Sequence, residues 1–308
     1  MDRFSIPGGI FEEGMRTIGV IAAEHIAVGL VEDNQVIGEL LGFPGAASPG
    51  DALVEMPADE IVRRIADQVE MIRAGGEVAA VGVGFPGIIR DGVIDESPNL
   101  PQMKGLALGD ELTSRLDNAG LRWPVRVIND ADAMAAGIAA TYGQLDKLVR
   151  TWTLGSGIGY GRYPHAPGVW EGGHTVVTLD AKEQFCRCGG AGHLEGIMGD
   201  RAMRLRFLDL EPDEVFELAA QGDLRCGTFV RLWHRALAGA TATSIHLEGP
   251  GKFFVSGPNS RFIQIGLINL FLHEMVKMSP LQGSSIEVVS TSDEMAIIGA
   301  GISASRPG

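Results

Sequence analysis

Apolar positions along this chain repeat with two periods, and the switches between them mark its elements. Residues 17–31, TIGVIAAEHIAVGLV, are β-branched and apolar apart from a polar break at Glu24 and His25, which predicts a hairpin. A third strand, residues 35–41, follows a turn at Asp33 and Asn34. Over residues 57–76 the period becomes helical: Ile61, Ile65, Val69 and Ile72 share one face, acids fill the first turn and glycines close the end. VAAVGVGFPG, residues 78–87, predicts a buried strand entering a Pro-Gly turn, and a further turn falls at residues 90–92. A helix over 106–119 and a second parallel-type strand over 125–128 follow. Between them ESPNLPQMKG, residues 96–105, is too rich in proline for regular structure. The same alternation continues with a helix over 131–142, a strand over 149–154, mostly helix over 211–246, a strand over 252–257, a helix over 262–278, a strand over 285–290 and a closing helix over 294–304. A polar arm with a Pro-Gly-Gly turn (1–16) and a Gly/Pro/Ser-rich loop (42–50) complete the chain.

Strands alternating with helices predict an α/β chain with parallel pairing. A length of 308 residues suits two domains, expected at 1–128 and 129–308 with a cleft between them. Glycine makes up 43 of the 308 residues, about twice the ~7% of an average protein, which fits many tight strand-to-helix connections. The formal net charge of −14 argues against nucleic acid or an anionic membrane as a partner, because either needs a basic surface to displace counterions. No basic and apolar leader opens the chain, and no apolar run approaches the ~18 residues of a membrane span, so a cytoplasmic protein is expected. Its three cysteines suit a reducing compartment, and Cys186 and Cys188 are too close in sequence for a comfortable disulfide.

The candidate chemistry gathers in residues 153–195. His174, Cys186, Cys188 and His193 offer four donors of the kind zinc takes in a tetrahedron, and the glycines of CRCGGAGH let the loop fold back on itself. With four protein ligands such a zinc is structural, since no position remains for a catalytic water. Two core cysteines with incidental histidines are the alternative. TLGSGIGYG, residues 153–161, presents backbone N–H groups with little side-chain bulk after a strand, as a phosphate loop or as a tight turn. Asn129 and Asp130 end a strand; Asp130 is placed either to accept a hydroxyl proton or to cap the next helix, with Asp132 complementing its dipole. Asn99 in PNLP is exposed to hydrogen-bond a polyol or to close a turn, and Glu171 and Glu195 flank the metal segment.

These pieces resemble, in order and spacing over residues 17–304, the ROK family (repressor, open reading frame, kinase). VGVGFPG is similar to its G-x-G-x-P-G loop, SPNLPQMKG to its substrate loop, INDADAMAAG to its E-N-D-A-N stretch, TLGSGIGYG to its second phosphate loop, VSGP (255–258) to its adenosine-side turn and IIGAGISA to its final helix. The zinc signature G-H-x(n)-C-x-C-G-x-x-G-C-x-E is matched with His193 in place of the last cysteine. The resemblance implies an actin-like ATPase / sugar kinase fold, Mg-ATP as donor, a hexose or amino-hexose acceptor, a structural zinc and a homodimer. It assigns Asp130 as the base, Asn99, Asn129, Glu171, His174 and Glu195 to the sugar, and Gly155, Ser156, Gly157 and Gly257 to the nucleotide.

One departure stands against that match. The family's first phosphate loop, D-x-G-G-T, falls on Val20, Ala22, Ala23 and Glu24, so an acid is lost, two glycines gain a Cβ and a threonine becomes an acid. Glu24 beside a phosphate would repel it, unless Glu24 itself holds the metal. Asp132 also replaces an amide, and Ile128 an acid. Two readings follow: an ATP-dependent sugar kinase, or a sugar-binding pseudokinase that has lost ATP turnover. A DNA-binding repressor fits neither the charge nor the short stretch before the first strand.

Overall fold

In the computed structural model the β-branched start of the chain forms an antiparallel meander of β1 (Thr17–Ala22), β2 (Ile26–Glu32) and β3 (Gln35–Phe43), with Ala22 opposite Ile26 across the first turn. The structure describes residues 15–45, 53–72, 77–166, 168 and 171–305. Most of the expected N-terminal arm, residues 46–50 of the expected loop and the glycines at 75–76 lie outside them. At the β2–β3 turn Asp33 and Asn34 take positive φ, 50° and 61°, the geometry that lets a two-residue loop follow the strands' twist. Helix α1 (Ala58–Ile72) buries Ile61, Ile65, Val69 and Ile72, the stripe its period predicts. Strand β4 (Ala80–Phe85) then pairs parallel with β1, and β7 (Val125–Asn129) parallel with β4, giving the sheet order β3-β2-β1-β4-β7.

After β4 the chain doubles back at the turn expected at 90–92, while the proline-rich residues 96–105 stay largely irregular. Strands β5 (Ile88–Arg90) and β6 (Val93–Glu96) form a hairpin that turns at Asp91 and Gly92, both with positive φ (49° and 78°), and a single 3-10 turn spans Pro101–Met103. Helix α2 (Leu108–Asn118) and helix α3 (Asp130–Thr141) flank β7 in sequence.

The chain divides into two compact units, and the division differs from the boundary expected at 128/129. The first holds residues to Val149 with Gly161–Val169 and Ser292–Gly308; the second holds Arg150–Tyr160 and Trp170–Thr291. The closing helix, named α9 below, belongs to the first unit because glycines admit it. A Cβ on Gly19 of β1 would run into the carbonyl of Ile297, one on Gly82 of β4 into that of Ala300, and one on Gly137 of α3 into that of Met295. Backbone contact of this kind ties α3 and the chain's end to the first sheet.

Strands β8 (Val149–Leu154) and β9 (Ile158–Tyr163), which fall mostly in the second unit, make the glycine hairpin, and α4 (Glu195–Met198), α5 (Asp200–Arg206), α6 (Pro212–Ala220) and α7 (Leu224–Glu248) follow in that unit. The helix expected over 211–246 is two helices. Gly222 at φ 96° breaks it, and Asp223 restarts it by accepting the Cys226 N–H at 2.8 Å. Strand β10 (Lys252–Ser256), α8 (Ile265–Met275) and β11 (Ser285–Val288) complete the sheet order β11-β10-β8-β9, and α9 (Asp293–Ala304) ends the chain. Trp152, Trp233 and Phe253 lie fully buried in this unit's core. So does Arg150, whose guanidinium lies 4.0 Å over Phe253 and donates to the carbonyls of Ser244 and Gly249. Among the described residues no helix is long and apolar enough to cross a membrane.

Candidate functional site

The four predicted metal donors converge. One ligand atom from each of His174, Cys186, Cys188 and His193 lies within 4.8 Å of the others, with the two Sγ atoms 3.3 Å apart and Cys188 Sγ 3.2 Å from His193 Nδ1. Local backbone bonding produces this. Val177 N–H donates to Gly192 and Leu194 N–H to Thr175, an antiparallel bridge that lays His174 beside His193 with ring centroids 5.2 Å apart. Gly189 at φ 82° closes a turn onto the Cys186 carbonyl, and Gly190 N–H points at Cys188 Sγ (3.4 Å). A Cβ on Gly190 would collide with the His193 imidazole, so this position must be glycine for the ring to enter the cluster.

Electrostatics alone leave this cluster poor at holding itself together. Burial pushes the Cys186 thiol up to about 12, opposed by the Cys188 N–H and helped by the Cys188 side chain and Glu195, and burial together with His174 lowers the His193 pKa. Both shifts keep the donors neutral. A divalent cation reverses the sulfur shift, because it stabilises thiolate directly. The site therefore fits a soft or borderline ion: two thiolates and two neutral imidazoles balance the charge of Zn²⁺ and fill its tetrahedron.

The glycine hairpin and the metal segment share one carboxylate. Glu195 at the start of α4 accepts the Ile158 N–H with Oε2 (3.2 Å) and places Oε1 3.7 Å from Cys186 Sγ. Gly173 and Gly172 press against Ile158 and Tyr160, where a Cβ on either would overlap. Glu171 Oε2 stands 3.5 Å from His174 Nδ1. Within the hairpin, Gly155 N–H bonds to Gly157 O, while the Gly155 carbonyl accepts from Asp200 N–H (3.3 Å) and Asn259 Nδ2 (3.4 Å). The Ser156 and Gly157 amides have no protein acceptor among the described residues. Gly257 (φ 89°) lies against the Leu154 backbone, closer than any Cβ permits, and so stays beside this turn. Nothing in the sequence pattern marked Asp200 or Asn259, which reach the loop only through the fold.

In the first unit Asn129 and Asp130 are neighbours with different tasks. Asn129 is the N-cap of α3: its Oδ1 accepts the Ala131 N–H (2.8 Å) while Nδ2 donates to the Gly87 carbonyl (2.8 Å), fixing the Pro-Gly turn after β4. Capping thus falls to Asn129, while the Asp130 carboxylate accepts the Ala131 N–H at 2.9 Å. Burial pushes the Asp130 carboxyl up to about 6, the backbone N–H groups of Ala131 and of Asp130 itself oppose this, and the charge of Asp132 adds to it. Asp132 is itself buried, accepts the Arg162 N–H (2.9 Å) and lies 3.5 Å from His165 Nδ1. Asn99 is exposed on the loop after β6. Asn99, Asn129 and Asp130 belong to the first unit, and Glu171, His174, Glu195 and the metal cluster to the second.

The departed first loop is the β1–β2 turn. Val20 and Ala22 are fully buried in the first unit's core, and Ala23 N–H is taken by the His25 carbonyl (3.1 Å). Glu24 is exposed at the tip, and His25 Nε2 lies 2.8 Å from Asp293 Oδ2, which raises the His25 pKa. Apolar side chains and a closed amide make up this turn.

Residues 51–305 match the model of the ROK family. The chain is 31% identical over 282 residues to a glucokinase from Thermotoga maritima, covering 80% of this chain and 83% of that one. Among solved structures, a ROK hexokinase from Thermus thermophilus superposes with a TM-score of 0.74 at 23% identity, covering 94% and 98% of the two chains. A ROK family glucokinase from Streptomyces griseus, in complex with glucose and AMPPNP, gives a TM-score of 0.69 at 24% identity with coverage of 94% and 99%. The fold these neighbours share with this chain is the actin-like sugar kinase fold.

Proposed function

The chain belongs to the ROK family, and from that membership we propose that it is a sugar kinase transferring the terminal phosphoryl group of ATP to a hydroxyl of a hexose or amino-hexose. The observation that carries the reading is Asp130, a strand-end carboxyl released from capping by Asn129 and tuned to about 6. At neutral pH it is ionised yet basic enough to take the acceptor hydroxyl's proton as that oxygen attacks phosphorus. Bound Mg-ATP supplies the phosphoryl group. Glu171, His174 and Glu195, held by the metal segment, with Asn99 and Asn129, bind sugar hydroxyls; the Ser156 and Gly157 amides and the turn at Gly257 receive the nucleotide. Zinc on His174, Cys186, Cys188 and His193 has a structural part: it fixes His174 and, through Cys186, the neighbourhood of Glu195. The glucokinase relatives support glucose as the first acceptor to try, and the family resemblance supports a cytoplasmic homodimer.

A coupled ATP-consumption assay over a hexose and amino-hexose panel, run beside calorimetry with ATP and each sugar, tests this. Turnover lost in Asp130→Asn supports the proposal. Sugar binding with no ATP binding at millimolar concentration overturns it and leaves a sugar-binding protein, the reading that Val20 and Glu24 favour.

A further inference from the structure

The metal-bearing loop leaves and re-enters the body of the second unit at two points, Glu183 before Cys186 and Gly196 after His193, and a single side chain reaches both. Arg206, the last residue of α5, donates Nη1 to Glu183 Oε1 at 2.9 Å, pairs Nη2 with Glu183 Oε2, and directs Nη2 at the Gly196 carbonyl (3.5 Å). Its guanidinium stacks 4.5 Å over Phe185, the residue before Cys186, and lies 5.4 Å from the ring centroid of Phe229 in α7. Both charged side chains are mostly buried, 18% and 14% exposed, so this is a desolvated fork-to-fork pair rather than a surface contact. Arg201, one helical stretch earlier in α5, adds a bond to the Phe185 carbonyl (3.2 Å). Glu183 in turn accepts the Gly192 N–H on its own carbonyl (2.7 Å), closing the loop across its base.

We propose that Arg206 is a positioning residue that sets the spacing of Cys186, Cys188 and His193 before any ion binds, by clamping both ends of the loop that carries them. The inference rests on reading the four-donor cluster as a metal centre. Its physical basis is that an ion binds more tightly to donors already ordered, since ordering them no longer draws on the binding free energy. Arg206 touches neither donors nor substrate, and it acts through Glu183, Phe185 and Gly196. Lysine cannot replace it, because a single ammonium does not reproduce the planar fork or the stacking on Phe185.

The test compares zinc affinity, by competition with a chromogenic chelator, in purified full-length protein and in Arg206→Met, Arg206→Lys, Glu183→Gln and Arg204→Met. Arg206→Met keeps the packing stem and is expected to weaken zinc roughly 10- to 100-fold, with Arg206→Lys recovering only part of that. Glu183→Gln removes the ion pair from the loop side while keeping Arg206 stacked, and is expected to weaken zinc in the same direction even if Arg206→Met folds poorly. Arg204→Met, which lies in α5 like Arg206 and breaks an exposed pair with Glu211 (2.7 Å) before α6, is expected to keep wild-type zinc affinity. In an active enzyme the Arg206 variants raise the sugar KM, and saturating zinc restores it while kcat stays near wild type; a merely structural role would lower kcat, and added zinc would not restore it. Wild-type zinc affinity in Arg206→Met and Glu183→Gln, whatever their melting temperatures, overturns the proposal. Failure of the wild-type protein to bind zinc at all overturns the metal reading instead.

Discussion

Replacing Asp130 by asparagine is expected to abolish phosphoryl transfer and, at neutral pH, to make the protein more stable. The carboxyl is pushed from 3.8 to about 6 chiefly by burial, so the folded state binds its proton more tightly than the unfolded chain does. For a carboxyl raised in the native state, the contribution is fully present below the unfolded value near 3.8 and is lost as pH rises through the folded value near 6. Above pH 6 the ionised group opposes folding by about 3 kcal/mol, from roughly two units at 1.36 kcal/mol each. Asparagine keeps the shape and can still accept the Ala131 N–H, but carries no charge to desolvate. The Asp130→Asn protein is therefore expected to melt several degrees higher at pH 7.5, with the difference shrinking towards zero near pH 4, while kcat falls ~100- to 10,000-fold. Differential scanning calorimetry from pH 4 to 8, in parallel with the ATP-consumption assay, measures both. A variant less stable at pH 7.5, or a difference that does not vary with pH, would refute the claim that Asp130 is a desolvated base.

Other predictions concern the metal, the first loop and the N-terminus of α9. Stripping the metal with a strong chelator is expected to raise the sugar KM more than the ATP KM, and readdition of zinc to reverse it; elemental analysis finding less than half an equivalent in protein purified without added metal would dismiss the site. Gly190→Ala, whose methyl collides with His193, is expected to lose zinc while circular dichroism stays unchanged, and unaltered zinc content would contradict the packing described. Glu24→Thr combined with Ala22→Gly and Ala23→Gly is expected to raise ATP affinity in calorimetry, because it removes an exposed acid and two methyl groups from the turn; an unchanged or weaker affinity would show that the turn does not meet the nucleotide. The His25–Asp293 pair raises the His25 pKa, so its contribution to stability is present below the unfolded value of 6.5 and lost as pH rises through the folded one. Asp293→Asn is expected to narrow the stability gap between pH 5.5 and 8.5, measured by urea unfolding.

Much of the architecture was readable from periodicity because it rests on short-range rules. The meander of β1 to β3, the α1 stripe and the parallel strands β4 and β7 follow from alternation, β-branching and turn chemistry. The turn at 90–92 was legible from its Asp and Gly, whereas the pairing of β5 with β6 across it was not, since that depends on Asp91 and Gly92 adopting positive φ. The break between α6 and α7 was likewise concealed in a long apolar stretch, where only Gly222 and Asp223 marked it. The donor set of the metal cluster was legible because three of its four ligands fall within eight residues of one another. Arg206, Asp200, Asn259 and His165 were not, since they are separated from what they touch by up to about a hundred residues and resemble ordinary surface residues until the chain is folded.

The sequence by itself determined the family, the main strands and helices in their order, the four metal donors and the loss of an acid and two glycines from the first loop, all of which depend on residue identity and close spacing. Only the tertiary structure decided that α3 and α9 join the first sheet through Gly19, Gly82 and Gly137, that Asn129 rather than Asp130 caps α3, and that Glu195 links the glycine hairpin to the cysteines. Those outcomes depend on which surfaces can approach within backbone contact and on which of two adjacent polar groups is desolvated. Both are properties of packing between segments far apart in the chain, to which local periodicity carries no signal.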